Sequence, residues 1–262
     1  MNYIIYDLEF NQKSTEILYP EADNSSLPFE IIQIGAVKLN ENFQRVSEFN
    51  TLIKPTVHTV IHPFIENLTG INNDMVSFHK NFPQIYEDFI RFIGDDEIVL
   101  CVWGTVDIKE LFRNMKFHKL PALANFKFYI DVQHYASKYF KFPKAFRIGL
   151  KNAVDLLGIP SKNEFHDAYN DAYYTSEVFK IIYDDTVVPK VYTPASTHKR
   201  VSRPKEIVDE KALIKQFEKM YNREMSEDER SIIKLAYFMG KTRQFCHRSN
   251  ADSLENVKGQ EN

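Results

Sequence analysis

The chain opens MNYIIYDLEFNQ, residues 1–12, and this stretch decides how the rest is read. Tyr3 to Tyr6 is an aromatic and β-branched run of the kind that fills a buried strand. Strand side chains alternate between faces, so Asp7 and Glu9 project from the same one, their Cα atoms roughly 7 Å apart. Two like charges side by side on a buried strand cost free energy unless a cation lies between them. Working outward, IIQIGAVKL at 31–39 and VSEFNTLI at 46–53 are also strand-like, with the turn-forming NEN between them. Strands at 3–10, 31–39 and 46–53 are therefore expected to form an antiparallel meander.

Beyond the meander the period changes. FPQIYEDFIRFIG (82–94) sets Ile85, Phe89, Phe92 and Ile93 on one helical face, EIVLCVW (97–103) reads as a buried strand, and TVDIKELFRNMKF (105–117) as a helix. KFYIDV (127–132) is a short strand, GLKNAVDLLG (149–158) a helix ended by Gly158 with Pro160 beyond, and HDAYNDAYYTSEVFKIIYDD (166–185) a longer helix. A three-strand meander followed by β/α units is an α/β domain with a mixed sheet flanked by helices.

The character shifts at residue 189. PKVYTPASTHKRVSRPK (189–205) holds five basic residues, three prolines and no acid, the composition of an extended linker. Two amphipathic helices are expected after it. Leu213, Phe217, Met220 and Tyr221 line one face of the first, and Ser226 with Glu229 forms a capping box that starts the second. The organisation read is a domain at 1–188, a linker at 189–205, a helical extension at 206–248 and a frayed tail at 249–262. A helix pair of this size cannot readily bury its apolar face alone, so docking on the main domain or on a second copy, as a homodimer, is expected.

With 262 residues, 44% of them hydrophobic, the chain can bury one large core and carry an appendage. A net charge of −3 gives no global basic signature, so a nucleic-acid surface must be a local patch. Cys101 and Cys246 belong to no C-x-x-C or Cys/His zinc spacing and read as free thiols in a reducing compartment. No apolar stretch approaches the roughly 18 residues of a membrane span, and the start lacks a basic region followed by an apolar core. A cytoplasmic location is the expectation.

The acidic residues can then be collected. Besides Asp7 and Glu9, VWGTVD places Asp107 just after a buried strand, and FHDAYND places His166 and Asp171 at a helix start. Strand ends and helix starts are where α/β sheets put their ligands. Singly, each has a structural explanation. Asp107 suits the positive end of a helix, His166 suits a cap or a core, and Asp167 suits an N-cap.

Jointly, Asp-x-Glu on a first strand, Asp after a later strand and His-x-x-x-x-Asp on a late helix resemble the DEDD 3′–5′ exonuclease superfamily, in its histidine subclass. EIIQIGAV, NLTGI and VWGTVD resemble the family's second strand, its Thr-Gly-Ile segment and its second acidic motif, and the resemblance spans residues 3–183. The tyrosine subclass carries its proton acceptor four residues before the last Asp, a position held here by Asp167, whereas His166 stands five before Asp171. Bacterial KapD-like proteins and RNA-trimming exonucleases are among the members it resembles. Many members carry Thr two residues after the Glu, and this chain has Asn11 there, so the contacts of that Thr with the terminal nucleotide do not carry over.

The resemblance implies a ribonuclease-H-like sheet and hydrolysis of single-stranded 3′ ends, RNA before DNA, to nucleoside 5′-monophosphates. It implies two Mg²⁺ or Mn²⁺ ions, hard cations suited to a carboxylate set without cysteine. Asp7 would bridge both ions, Glu9 and Asp171 would hold the one that activates water, and Asp107 would support the second. His166, placed on the loop that feeds the helix, would take the proton of the attacking water.

Substrate contacts are looser. Leu8 and Phe10 beside the motif acids, Phe29, Phe146 and Tyr169 are candidate contacts or stacking platforms, against the ordinary fate of such side chains in a core. Arg147 and Lys151 could meet phosphate or simply lie on a solvated helix face. Lys199, Arg200, Arg203 and Lys205 of the linker could contact substrate phosphates. Two rival readings are a catalytically inactive exonuclease-like module that binds nucleic acid or protein, and a two-carboxylate glycosidase. The second leaves Asp107, His166 and Asp171 without roles.

Overall fold

The computed structural model describes residues 1–12, 27–121, 126–143, 146–161, 164–193 and 209–241, the side chains of 238–241 excepted. Among the described residues six strands form one sheet: β1 (Asn2–Gln12), β2 (Phe29–Leu39), β3 (Arg45–Leu52), β4 (Ile98–Val102), β5 (Phe128–Asp131) and β6 (Lys190–Val191). Their order is β3-β2-β1-β4-β5-β6. The expected meander is present, β1 antiparallel to β2 and β2 to β3. β4 then joins β1 in parallel and β5 joins β4 in parallel, the mixed pattern of a ribonuclease-H-like sheet.

Helices cover both faces. α1 (Pro63–Thr69), α2 (Asn73–Ser77) and α3 (Phe82–Ile93) connect β3 to β4, and α4 (Val106–Phe117) connects β4 to β5. α5 (Val132–Tyr139), α6 (Leu150–Leu156) and α7 (Ala168–Ile182) follow β5. α3 is fixed by an Asn81–Gln84 capping box and buries Ile85, Phe89 and Ile93. Side-chain alternation on β1 separates two cores. Ile4, Tyr6 and Leu8 face α3 and α4, and Tyr3 and Ile5 face α5–α7. Parity therefore assigns Asp7 and Glu9 to the α7 face.

Three helices escape the periodicity reading. α1 and α2 are short and carry exposed apolar residues, Phe64, Leu68 and Met75 among them, and α5 starts directly at the end of β5 with Asp131 as its N-cap. The segment expected to be linker from residue 189 begins as a strand instead. β6 pairs with β5 through Val191 and Lys190, and the Tyr192 ring packs on Phe112 at 4.5 Å, so the packed chain runs past 188.

The chain divides into two compact units, Met1–Ser196 and Thr197–Asn262. In the second, α8 (Glu210–Tyr221) and α9 (Glu227–Lys241) form a hairpin with an Asp209 N-cap and an Asn222 left-handed C-cap. The Ser226–Glu229 capping box is formed, and Lys234–Glu210 and Arg230–Glu218 ion pairs tie the helices together. Ile214 is the buried residue of α8, whereas Met220 and Tyr221, expected on its packed face, are exposed. Lys199, Arg200, Arg203, Lys205 and the tail at 249–262 lie outside the described residues. No helix among the described residues is long and apolar enough to cross a membrane.

Candidate active site

β1 supplies the first two carboxylates. In the β1–β2 ladder Asp7 lies opposite Gly35 and Glu9 opposite Gln33, and the register then shifts so that Phe10 faces Ile31. Asn114 of α4 spans the irregularity, accepting from the Ile31 N–H and donating to the Phe29 carbonyl. The bulge ends the regular pleat directly beyond Glu9, which is where a sheet re-aims side chains at a site.

Asp107 enters from the neighbouring strand. β4 is parallel to β1, so both carboxyl ends open on the same side, and Asp107 sits in the first turn of α4 just past β4. It is buried, 7% exposed. Asp171 and His166 come from α7, whose N-cap is Asp167 with a side chain that accepts from the Asn170 N–H. His166 precedes the cap on a left-handed turn, φ 67°, with its ring exposed. Its backbone N–H donates to Asp171 Oδ2 at 3.2 Å, which ties the two residues together.

Ligating atoms of Glu9, His166 and Asp171 lie within 4.8 Å of one another. Asp7 and Asp107 are close enough to be felt electrostatically. Burial, then the charges of Asp107, Asp171, Glu9 and Asp167, hold the Asp7 carboxyl well above the usual carboxylate range. Burial drives Glu9 up to about 9, reinforced by Asp171, Asp107 and Asp167. Asp107 is pushed up to about 7 by burial, against its own and the Leu8 backbone N–H, with Asp171 and Glu110 adding to the rise. Burial lifts Asp171 to about 6, opposed by the His166 N–H.

The set fits hard divalent cations. Oδ1 of Asp171 is buried without a hydrogen-bond partner, an unsatisfied acceptor that a cation or its water would complete. The donors are carboxylate oxygens with one imidazole alongside, an oxygen-rich set that suits Mg²⁺ or Mn²⁺.

A pH dependence follows. Glu9, Asp107 and Asp171 titrate higher in the folded chain than the roughly 4 of unfolded carboxylates, so folding retains protons that unfolding releases. That stabilisation is full below about pH 4 and is lost as pH rises through about 6 to 9. The melting temperature of the metal-free chain should fall across this window in EDTA, and saturating Mn²⁺ should flatten the fall because the cation competes with the protons. Calorimetry at a series of pH values checks this. A metal-free melting temperature that rises through the window is the opposite outcome.

The candidate substrate contacts separate. Leu8 is 3% exposed inside the α3–α4 core, so its side chain offers no surface to a substrate. That corrects the sequence reading: even-numbered β1 residues up to the bulge point away from the acids. Phe10 is half-buried against Phe29, ring centres 6.2 Å apart, and Phe29 is 39% exposed. Phe146 is exposed and rests on Phe142. Arg147 pairs with the buried Asp131 at 3.3 Å, so its charge is already compensated. Lys151 is exposed on α6. The Tyr169 hydroxyl donates to Glu48 at 2.6 Å, and the ring lines a cleft of about 470 Å³ with Arg45, Tyr173 and Glu177. None of the five motif residues lines that cleft.

Asn11, the departure from the family pattern, is fully buried. It donates to the carbonyls of His58 and Val60 and accepts from the His62 N–H, so it clamps the loop that leads into α1. The buried Glu30 carboxylate secures the same loop through the N–H groups of Thr56, Val57 and His58. Periodicity passes over Gln33, Gly35 and Asn11. The available signal was composition, since a polar or side-chain-free position inside an apolar strand needs a partner or a close neighbour.

Comparison with known proteins places this geometry. The exonuclease family model RNase_T matches residues 4–179. The PolC-type DNA polymerase III of Thermotoga maritima is 29% identical over 178 residues, 68% of this chain, and the match spans 11% of that polymerase's length. The probable 3′-5′ exonuclease KapD of Bacillus subtilis is 25% identical over 189 residues, 70% of this chain and 84% of KapD. Among solved structures, the nuclease domain of 3′hExo, a DEDDh family member bound to rAMP, superposes with a TM-score of 0.61 at 21% identity, covering 74% of this chain and 96% of that one.

Proposed function

We propose that this chain, which belongs to the RNase_T family of DEDD 3′–5′ exonucleases, removes nucleotides one at a time from single-stranded 3′ ends and releases nucleoside 5′-monophosphates. The observation that carries the reading is the convergence of Asp7, Glu9, Asp107 and Asp171 from β1, α4 and α7, with the His166 ring beside Glu9 and Asp171.

Two divalent cations, when bound, neutralise charge on the attacking and leaving oxygens of an in-line phosphoryl displacement. Asp7 lies among the other three carboxylates and would be shared between the ions; Glu9 and Asp171 would hold one and Asp107 the other. His166 accepts the proton of the attacking water. Its position supports that role: the ring is exposed, and its backbone is anchored to Asp171 by the 3.2 Å hydrogen bond. The exposed Phe29, its ring 6.2 Å from that of Phe10, offers a stacking surface for the terminal bases.

RNA is the substrate we favour over DNA, on the likeness to KapD-like and RNA-trimming proteins. The test uses a 5′-labelled single strand with Mg²⁺ or Mn²⁺, as matched RNA and DNA. Stepwise shortening, mononucleotide release and protection by a blocked 3′ end are expected. Efficient cleavage of a circular single strand would sink the reading, and tight strand binding without hydrolysis would support the inactive module instead.

A further inference from the structure

We propose that Gln33 is a positioning residue, which sets His166 and Asp171 against Glu9 by holding the N-cap of α7. The proposal rests on the exonuclease reading and adds to it a residue outside the five motif positions. Gln33 is 3% exposed and lies on β2 directly opposite Glu9. Both amide hydrogens and the carbonyl oxygen of its side chain are engaged. Nε2 donates to Asp167 Oδ2 at 2.8 Å and to Asn50 Oδ1 at 3.1 Å, and Oε1 accepts from the Ala168 N–H at 3.1 Å.

Two of these contacts fall on the residues directly after His166, the N-cap Asp167 and Ala168, the first residue of α7. Asp167 uses its other oxygen, Oδ1, to cap the Asn170 N–H at 3.0 Å, and its carbonyl accepts from the Asp171 N–H at 2.9 Å. The Asn170 side chain in turn donates to the Glu164 carbonyl at 3.0 Å, which fastens the loop on the far side of His166. The left-handed backbone of His166, unusual for a residue with a side chain, is thus held from both directions. One amide on the strand that faces Glu9 therefore fixes where the base and the last carboxylate stand.

The residue type follows from charge. Asp167 is a fifth carboxylate near the four motif acids and adds to the field on Asp7 and Glu9. A glutamine meets it with a neutral N–H donor while still accepting from Ala168. A glutamate would set carboxylate against carboxylate at hydrogen-bond distance. A lysine or arginine would satisfy Asp167 and leave the Ala168 N–H without its acceptor.

The test is a charge swap in the full chain. Gln33→Ala should lower kcat by roughly 10- to 100-fold, the usual cost of removing a group that orients a metal ligand, with KM within about threefold. Gln33→Glu should be at least as poor. Gln33→Glu combined with Asp167→Asn restores a donor facing an acceptor and keeps the N-cap, so it should recover most of the lost turnover, the mark of a direct pair rather than of general destabilisation. Exchange of the Ala168 amide, slow in the wild type, should speed up in Gln33→Ala and slow again in the swap, a readout that needs no activity.

Wild-type turnover in Gln33→Ala, or a swap no better than the worse single variant, would overturn the proposal. A wild-type chain that releases no mononucleotide would refute the exonuclease reading instead. The amide exchange would then decide the clamp by itself, and unchanged protection in Gln33→Ala would refute it.

Discussion

Asp7→Asn is expected to abolish turnover and divalent-cation binding together, whereas His166→Ala keeps cation binding and loses turnover by roughly 10²- to 10⁴-fold, the contribution of a general base. The contrast follows from position. Asp7 is buried and feels Asp107, Asp171 and Glu9, the position expected of a carboxylate that both cations would share. His166 lies at the rim, exposed, and touches the cluster through its backbone hydrogen bond and the edge of its ring. The same electrostatics predict an inverse effect on stability. An asparagine removes the cost of keeping an ionisable carboxyl in a crowded buried set, whether charged or held protonated, so metal-free Asp7→Asn should melt higher than the wild type at pH 8 even as it loses function. Isothermal titration with Mn²⁺, single-turnover rates and melting in EDTA separate the variants. Small and equal losses in both would show that the site lies elsewhere.

What the sequence discloses and what it withholds divide by the range of the interaction. Asp7 and Glu9 were legible because a strand has period 2, and the structure keeps them on one face until the bulge after Glu9. Asp107 and Asp171 were legible because they sit at element boundaries with local signatures. His166 was expected on the loop before α7, and the structure has it one residue before the N-cap. Leu8 shows the limit of reading by adjacency: standing between two motif acids in the chain, it points through the sheet into the opposite core. The pairing of Arg147 was hidden for another reason, since its partner Asp131 is 16 residues away and pairing across that distance leaves no local pattern. Gln33 and Asn11 act over 135 and 51 residues, on Ala168 and His62, and such contacts become visible only once the sheet brings the elements together. The β6 strand was read as linker because two residues paired at a sheet edge carry no periodicity of their own.

Gly35→Ala should cost turnover by about 10²-fold or more, although the residue is no part of the chemistry, because catalytic geometry displaced by about 1 Å loses that much. Gly35 lies opposite Asp7 on β2, and α7 crosses directly over it. A Cβ there would stand 2.1 Å from both the Ala168 carbonyl carbon and the Tyr169 amide nitrogen. Ordinary contact begins at 3.4 Å, so the start of α7 would have to retreat by about 1.3 Å. These are backbone atoms within a helical turn and cannot rotate aside. Retreat carries Asp167, His166 and Asp171 away from Asp7 and Glu9, and the clamp from Gln33 would stretch with them. Weaker cation binding should accompany the slower turnover, because Asp171 recedes from the shared cluster. Gly149→Ala is the control: its nearest neighbour to an added Cβ is the Asn152 amide at 4.0 Å, and its φ of −71° suits alanine. That variant should change turnover by less than about twofold, while weakening the α6 N-cap by up to about 1 kcal/mol. If Gly35→Ala turned over as fast as Gly149→Ala, the seating of α7 on β2 would not set the distance between the two halves of the site.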